Sequence, residues 1–511
     1  MATFEEWLDE NKLKHEPHQK IAVEWCVKRE FEDIKGGIIA DEMGLGKTIE
    51  ILGMMICNPV PNTLIVLPYC VLGQWSDIIT KLFHRAPLVY HGSQRKRLTE
   101  EEIKLHPIVL TTYGLISEKR VMPGIDLAKG IHLANIKWSR IIYDEAHHLR
   151  NKNTAVHAGA LRLKTDITWL MTGTPIQNSE KDLYNLLSIL GLKCGADMKT
   201  NTANYIRTYM LRRTKEEAGI VLPTCHSTNI EVLWKYIKEQ KMAENIHARL
   251  SFSNLQGSEV VNDGPHSHFK LLSKAKKVCV LPKLLKKGGK LFRFVLEEED
   301  QDEVADEVAD EVADEVADEL ADEVADEVTD EVADEVAERV KTLEIFNHSS
   351  KLESVIKAIL ERRDNGKPKL VFCYFHKEID DIAKTLKQHG LNVKKIDGRT
   401  SKQERAKILQ RPAEVLIGQI DATNEGLNLQ AYKEIYMVSP HWNPAVEDQA
   451  IARCHRIGQT EEVHVFHFLM TGFGNDESTV DAKEEPITLD QYICNVQQAK
   501  RTIVKNILDI D

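Results

Sequence analysis

Gly37-Ile38-Ile39-Ala40-Asp41-Glu42-Met43-Gly44-Leu45-Gly46-Lys47-Thr48 is the stretch around which the chain is organised. Apolar residues lead into a glycine-rich turn, and residues 48–55 beyond it carry the spacing of a helix. Strand, loop and helix in that order are the setting that a phosphate-binding loop requires. Gly44 and Gly46 let the backbone come close to phosphates, and the N–H groups at the helix start face the anion. In that reading Lys47 reaches the β- and γ-phosphates and the Thr48 hydroxyl binds Mg²⁺. Asp41 stands where the first glycine of such loops is usual.

Outside this stretch, composition narrows the choices. At 511 residues the chain is long enough for about three domains. Its net charge of −12 is misleading, because residues 297–338 hold 23 acids and no base. The remainder carries 67 Lys and Arg against 56 acids, a net of +11, which suits a polyanionic partner. Plain solubility is the bland alternative. The nine cysteines are scattered without a C-x-x-C pair, so neither a disulfide framework nor a zinc site is expected. Residues 1–17 are acidic and lack the apolar core of a signal peptide, and the most apolar run, 64–72, is too short to span a bilayer. A soluble intracellular protein with no membrane partner is expected.

Short apolar, β-branched runs recur between helical segments at 63–68, 107–113, 140–144 and 167–172, as strands of a sheet buried on both faces should. A second set follows at 369–375, 392–397, 415–420, 434–439 and 464–470. The fold class is therefore α/β: two lobes with parallel sheets, a cleft between them, and ligands at the carboxyl ends of the strands. A helix near 18–25 should bury Ile21, Ala22 and Trp25. The boundaries read 1–15 as a flank, 16–235 as the first lobe, 236–347 as a helical and low-complexity acidic insertion, 348–480 as the second lobe, and 481–511 as a helical tail packed on that lobe. Within the insertion, residues 302–335 run Asp-Glu-Val-Ala nine times with minor variants. A period of four drifts around a helix and sets like charges at i+4, which favours a solvated linker. The sharper alternatives are an acidic lure for histones or a DNA mimic.

Asp144 and Glu145 end a buried strand as adjacent carboxylates, followed by His147. Asp144 is placed to hold the Mg²⁺ that Thr48 also touches, and Glu145 to polarise an attacking water. Thr172-Gly173-Thr174-Pro175 closes the next strand, where small hydroxyls can relay nucleotide state across the cleft; a plain turn is the alternative. Arg453 and Arg456 lie three apart on one helix face. Opposite a phosphate-binding loop, they read as arginine fingers that arrive when the lobes close.

Together these motifs resemble the Swi/Snf-type ATPases, double-stranded-DNA translocases of helicase superfamily two. The segment 41–48 matches, its aspartate included, and Gln19 matches the adenine-contacting glutamine. Leu64-Ile65-Val66-Leu67-Pro68 with Trp75, Thr111-Thr112-Tyr113, the DEAH box at 144–147 and the Thr-Gly-Thr-Pro-Ile-Gln-Asn of 172–178 follow in order. Leu211-Arg212-Arg213-Thr214-Lys215 resembles the exit from the first lobe and Ser350-Lys351-Leu352 the start of the second. Asp397-Gly398-Arg399-Thr400, Gly426-Leu427-Asn428-Leu429, Trp442-Asn443-Pro444 and His455-Arg456-Ile457-Gly458-Gln459 complete the set. The resemblance implies two tandem RecA-like P-loop lobes that use ATP and Mg²⁺. Gln19, Asp41, Gly44, Gly46, Lys47, Thr48 and Gly426 would bind nucleotide; Lys47, Asp144, Glu145, Arg453 and Arg456 would catalyse. His147, Thr112, Thr172, Thr174, Trp442 and Gln459 would couple hydrolysis to DNA.

One departure stands out: Ala422-Thr423-Asn424 replaces the family's Ala-Gly-Gly. Details such as 182–187 resemble the postreplication-repair and transcription-termination subgroup, but the place of a RING domain holds only Cys279, His266 and His268. The expected function is a monomeric DNA-dependent ATPase that moves on duplex DNA to remodel or displace bound proteins, nucleosomes or polymerase complexes among them. It would act in a nucleus or at the replication site of a large DNA virus. A strand-separating helicase and a non-catalytic DNA-binding scaffold are the alternatives.

Overall fold

The computed structural model describes residues 3–117, 133–193, 195–250, 265–285, 348–423, 427–473 and 487–508. The acidic repeat expected at 302–335 and Gly426 lie outside these residues. Two parallel sheets carry the chain. The first contains β1 (Gly36–Ile39), β2 (Thr63–Leu67), β3 (Leu88–Val89), β4 (Ile108–Thr112), β5 (Lys137–Asp144), β6 (Lys164–Met171) and β7 (Met210–Leu211). Their order across the sheet is β3-β4-β2-β5-β6-β1-β7. The second contains β8 (Cys225–Val232), β9 (Lys369–Cys373), β10 (Val393–Ile396), β11 (Val415–Gln419), β12 (Glu434–Met437) and β13 (Val463–Met470), in the order β10-β11-β9-β12-β13-β8. All registered pairs are parallel.

Both sheets are buried on two faces, which is why their strands read as continuous apolar runs. In β2, Leu64 and Val66 join one core while Ile65 and Leu67 join the core on the opposite face. In β9, Val371 and Cys373 likewise face away from Leu370 and Phe372. Alternation of side chains along a strand divides each run between two layers of helices. A buried ion pair also crosses the first lobe. Arg140 of β5 donates twice to Glu30, at 2.6 and 2.5 Å, and Trp169 Nε1 and Asn58 Nδ2 satisfy the same carboxylate at 2.8 and 2.6 Å.

Five expectations about organisation need correction. The helix Pro17–Arg29 turns Ala22, Val23 and Cys26 inward, but leaves Ile21 58% exposed. The flank 1–15 is part of the first lobe, since Phe4, Trp7 and Leu8 of helix Phe4–Glu10 are buried in its core. The second sheet begins before 235, because β8 pairs with β13 over its whole length. Helices Ile237–His247 and Pro265–Val280 are no separate insertion either: Ala243, Ile246, Val278 and Cys279 share the second lobe's core with Val355 and Ile382. The C-terminal helix Leu489–Leu508 starts on that lobe through Leu489 and Ile493, but its last turn buries Ile507 in the core of the first. Among the described residues no helix is long and apolar enough to cross a membrane.

Candidate nucleotide site between the lobes

The loop after β1 emerges at the carboxyl end of the first sheet, beside the ends of β5 and β6. Gly46 caps helix Lys47–Cys57 with φ +92°, and a Cβ there would stand 2.3 Å from Gln19 Nε2. Only glycine fits that close approach in a left-handed conformation. Gln19 Nε2 in turn donates to Leu45 O at 3.1 Å, and His18 Nε2 lies 2.8 Å from the same carbonyl. Gln19 is thus set against the loop itself. Lys47 Nζ reaches back across the turn to Asp41 O (2.7 Å) and Glu42 O (3.4 Å). Burial lowers its pKa, opposed by the charges of Glu145, Asp41, Glu50 and Asp144. The Asp41 carboxylate is fully buried and paired with Arg213, so its part in the site is to shape the loop rather than to present oxygens to a ligand.

At the end of β5 the two carboxylates diverge. Asp144 Oδ2 accepts from Trp75 Nε1 at 2.8 Å, and its Oδ1 accepts from the Glu145 backbone at 3.0 Å. Tyr113 Oη donates to the Asp144 carbonyl at 2.6 Å. Glu145 sits at φ +49°, a left-handed position rare for a residue with a Cβ, and this turns it out of the strand line. Its Oε2 lies 3.3 Å from His147 Nδ1 as an ion pair, and both buried atoms are without a hydrogen bond. Burial and then the neighbouring Glu145 charge push Asp144 up. Burial pushes Glu145 the same way, but His147, Arg453 and Lys47 outweigh it and hold the carboxyl low. Two adjacent acids are thereby driven apart.

The second lobe completes the site. Arg456 lies over the loop, its Cβ 3.6 Å from where a Gly44 side chain would begin, and Arg453 is close enough for its charge to act on Glu145. Between them His455 Nε2 lies 2.7 Å from Pro223 O. From the end of β6 a polar chain crosses the cleft: Thr174 N donates to Thr172 Oγ1 (3.1 Å), Gln177 Nε2 to Thr174 Oγ1 (3.0 Å), and Asn443 Nδ2 to Gln177 Oε1 (2.8 Å). Thr172 and Thr174 thus stand on a path between lobes that ends at Asn443, a residue not singled out from the sequence although its motif was recognised.

Other expected coupling residues are placed elsewhere. Thr112 is buried at the end of β4 as the cap of helix Tyr113–Ile116. Trp442 packs edge-on against Tyr492 in the second lobe's core, with Lys500 Nζ on its carbonyl at 3.0 Å. Gln459 is 6% exposed and tied inside that lobe: it accepts from Lys433 and donates to Gln430 O (3.1 Å) and Cys454 O (3.0 Å). The Gln459 side-chain amide is thus engaged within its own lobe. Thr423, in place of a family glycine, is buried and donates to Gln419 O at 2.8 Å; its methyl fills the space over Gly418.

The residues present fit ATP and Mg²⁺. Gly44 has φ +96° and meets no atom within 3.5 Å of an added Cβ, so the loop leaves room for phosphate oxygens. Thr48 and Asp144 offer the all-oxygen donors that a hard divalent cation takes. Glu145 Oε2, beside His147, makes no hydrogen bond within the chain and can accept one from a water.

Comparisons with known proteins give the family. The SNF2-related domain matches residues 18–284, and the helicase conserved C-terminal domain matches residues 350–458. The "Probable global transactivator" of Orgyia pseudotsugata multicapsid polyhedrosis virus is 26% identical over 96% of this chain and 91% of its own length. "DNA repair protein RAD5B" of Arabidopsis thaliana is 25% identical over 85% of this chain, which spans only 44% of that protein. The solved "Sulfolobus solfataricus SWI2/SNF2 ATPase core in complex with dsDNA" is 22% identical, with a TM-score of 0.38 over 97% of this chain and 93% of that one. With a domain match over more than half its length and two RecA-like lobes that enclose the expected loop, the chain belongs to the SNF2-related, Swi/Snf-type family of helicase-like ATPases.

Proposed function

We propose that this chain is an ATP-hydrolysing motor that moves along double-stranded DNA and remodels or displaces proteins bound to it. The observation that carries the reading is convergence: the glycine-rich loop, the Asp144–Glu145 pair and the second lobe's Arg453 and Arg456 all meet in one cleft. Lys47 and the loop N–H groups bind the β- and γ-phosphates, with Thr48 and Asp144 holding Mg²⁺. When bound, Mg²⁺ supplies charge neutralisation on the phosphate oxygens. Glu145, kept ionised, orients the attacking water, and the two arginines meet the charge that builds on the transferred group. The Thr172–Thr174–Gln177–Asn443 path links the nucleotide's state to the angle between the lobes. Each closing and opening then advances the lobes along a strand, through phosphate contacts and without sequence preference.

Relatives named for DNA repair and for chromatin regulation support a repair or chromatin role. The chain's place of work is a nucleus or a viral replication site, which the relatives named for DNA repair and the viral relative support. The motor acts as a monomer, since both halves of its site lie in one chain. Steady-state ATP hydrolysis with no nucleic acid, single strands, duplex DNA or RNA tests the proposal. Stimulation by duplex, lost in Glu145→Gln, is expected. Equal or better stimulation by single strands would shift the reading to a strand-separating helicase, and duplex binding without turnover to a scaffold.

A further inference from the structure

The residues that cross from the first sheet to the second, 212–224, grip the phosphate loop before they leave it. Ala40 N donates to Leu211 O at 2.7 Å and Glu42 N to Arg213 O at 2.9 Å, so the loop's first residues are edged by the crossing. The side chains tighten this contact. Arg213 reaches both oxygens of Asp41, through Nε at 3.2 Å and through Nη2, and donates to Glu50 Oε1 at 3.0 Å and to the His18 carbonyl. Lys215 Nζ lies 2.8 Å from Glu42 Oε1, and its backbone N–H donates to Glu42 Oε2 at 2.8 Å. Arg456 of the second lobe and Lys215 both lie over Gly44.

We propose that Arg213 and Lys215 are positioning residues that make ATP affinity depend on the posture of the lobe crossing. The inference rests on the nucleotide-binding reading of this loop. It gives Asp41 a physical reason: a glycine at that place could not be held by the crossing, whereas a carboxylate accepts the planar fork of Arg213. Arg213 also spans the Gln19-bearing helix, the loop and helix Lys47–Cys57 at once. Any shift of the crossing as the lobes move pulls directly on the backbone that cradles the phosphates.

The test uses the full chain, with ATP affinity read from a fluorescent-nucleotide titration, KM and kcat measured separately, and melting followed without nucleotide. Glu42 is 44% exposed, so Lys215→Gln and Glu42→Gln should fold normally and melt close to wild type. Each should weaken ATP binding by roughly three- to tenfold, and the double variant no further, because one charge-assisted contact is lost in all three. Arg213→Gln should raise KM more strongly than it lowers kcat. Arg213→Lys should recover the melting midpoint but not ATP affinity, since an ammonium cannot span the three partners. Unchanged affinity in Lys215→Gln and Glu42→Gln, or affinity that merely follows the melting midpoint across the Arg213 variants, would overturn the proposal. If wild type itself failed to bind ATP, the nucleotide reading would fall first.

Discussion

Trp75 contributes one N–H to the site, and that N–H goes to Asp144 Oδ2. Trp75→Phe keeps most of the buried ring and removes only the donor. A hydrogen bond to a charged group is worth roughly 1.5–3 kcal/mol, so kcat/KM for ATP should fall by about ten- to a hundredfold. Melting should change little, and a steady-state series on both proteins checks this. A second residue sets a pH dependence. Glu239, on helix Ile237–His247, receives both the backbone N–H and the hydroxyl of Ser350, yet burial pushes its carboxyl up to about 7 from 4.5. The folded state therefore binds this proton more tightly than the unfolded state does. Stability from Glu239 is complete below about 4.5 and is lost as the pH rises through about 7, a change of ~3 kcal/mol at most. Urea unfolding at a series of pH values between 4 and 8 should show wild type weakening relative to Glu239→Gln, and parallel curves would refute the assignment.

At the scale of elements, the buried Arg140–Glu30 pair joins β5 to the end of helix Pro17–Arg29. Arg140→Met strands a carboxylate in the core and should cost about 3–5 kcal/mol, while Arg140→Met with Glu30→Gln should recover much of that. Denaturant unfolding of the two variants decides whether the charge or the packing matters. The strands next to this pair were legible in the sequence, because burial on both faces makes each one an unbroken apolar run. β8 was not, since five of its eight residues are exposed at the sheet edge and nothing in its composition marks a strand. Helices 237–247 and 265–280 could be read as helices, but their membership of the second lobe depends on contacts more than a hundred residues away, such as Glu239 with Ser350. The site divides in the same manner. Gly46, Lys47 and Glu145 declare themselves through local chemistry, whereas Gln177 and Asn443 meet across 266 positions and only folding brings them together. Trp442 and Gln459 also serve the second lobe's own packing, which their motifs do not declare.

For the whole molecule, charge distribution is the property that no single element expresses. Residues 302–335 contain 18 acids and no base, so a chain without them moves from a formal net charge of −12 to +6. Duplex DNA and this acidic stretch present the same sign of charge to the same basic body, and between exposed charges that competition is screened beyond about 8 Å at physiological salt. Deleting 302–335 should therefore tighten duplex binding by roughly tenfold at low salt and make the salt dependence steeper, with the two chains converging as salt is raised. A chain of equal length with the repeat's Asp and Glu replaced by Asn and Gln separates charge from tether length. It should bind like the deletion if field effects dominate. Turnover at saturating duplex should be the same in all three chains, because none of the residues that meet in the cleft is altered. Identical low-salt affinity in wild type and deletion would mean that the acidic stretch does not oppose DNA, and would return it to the role of a solvated linker.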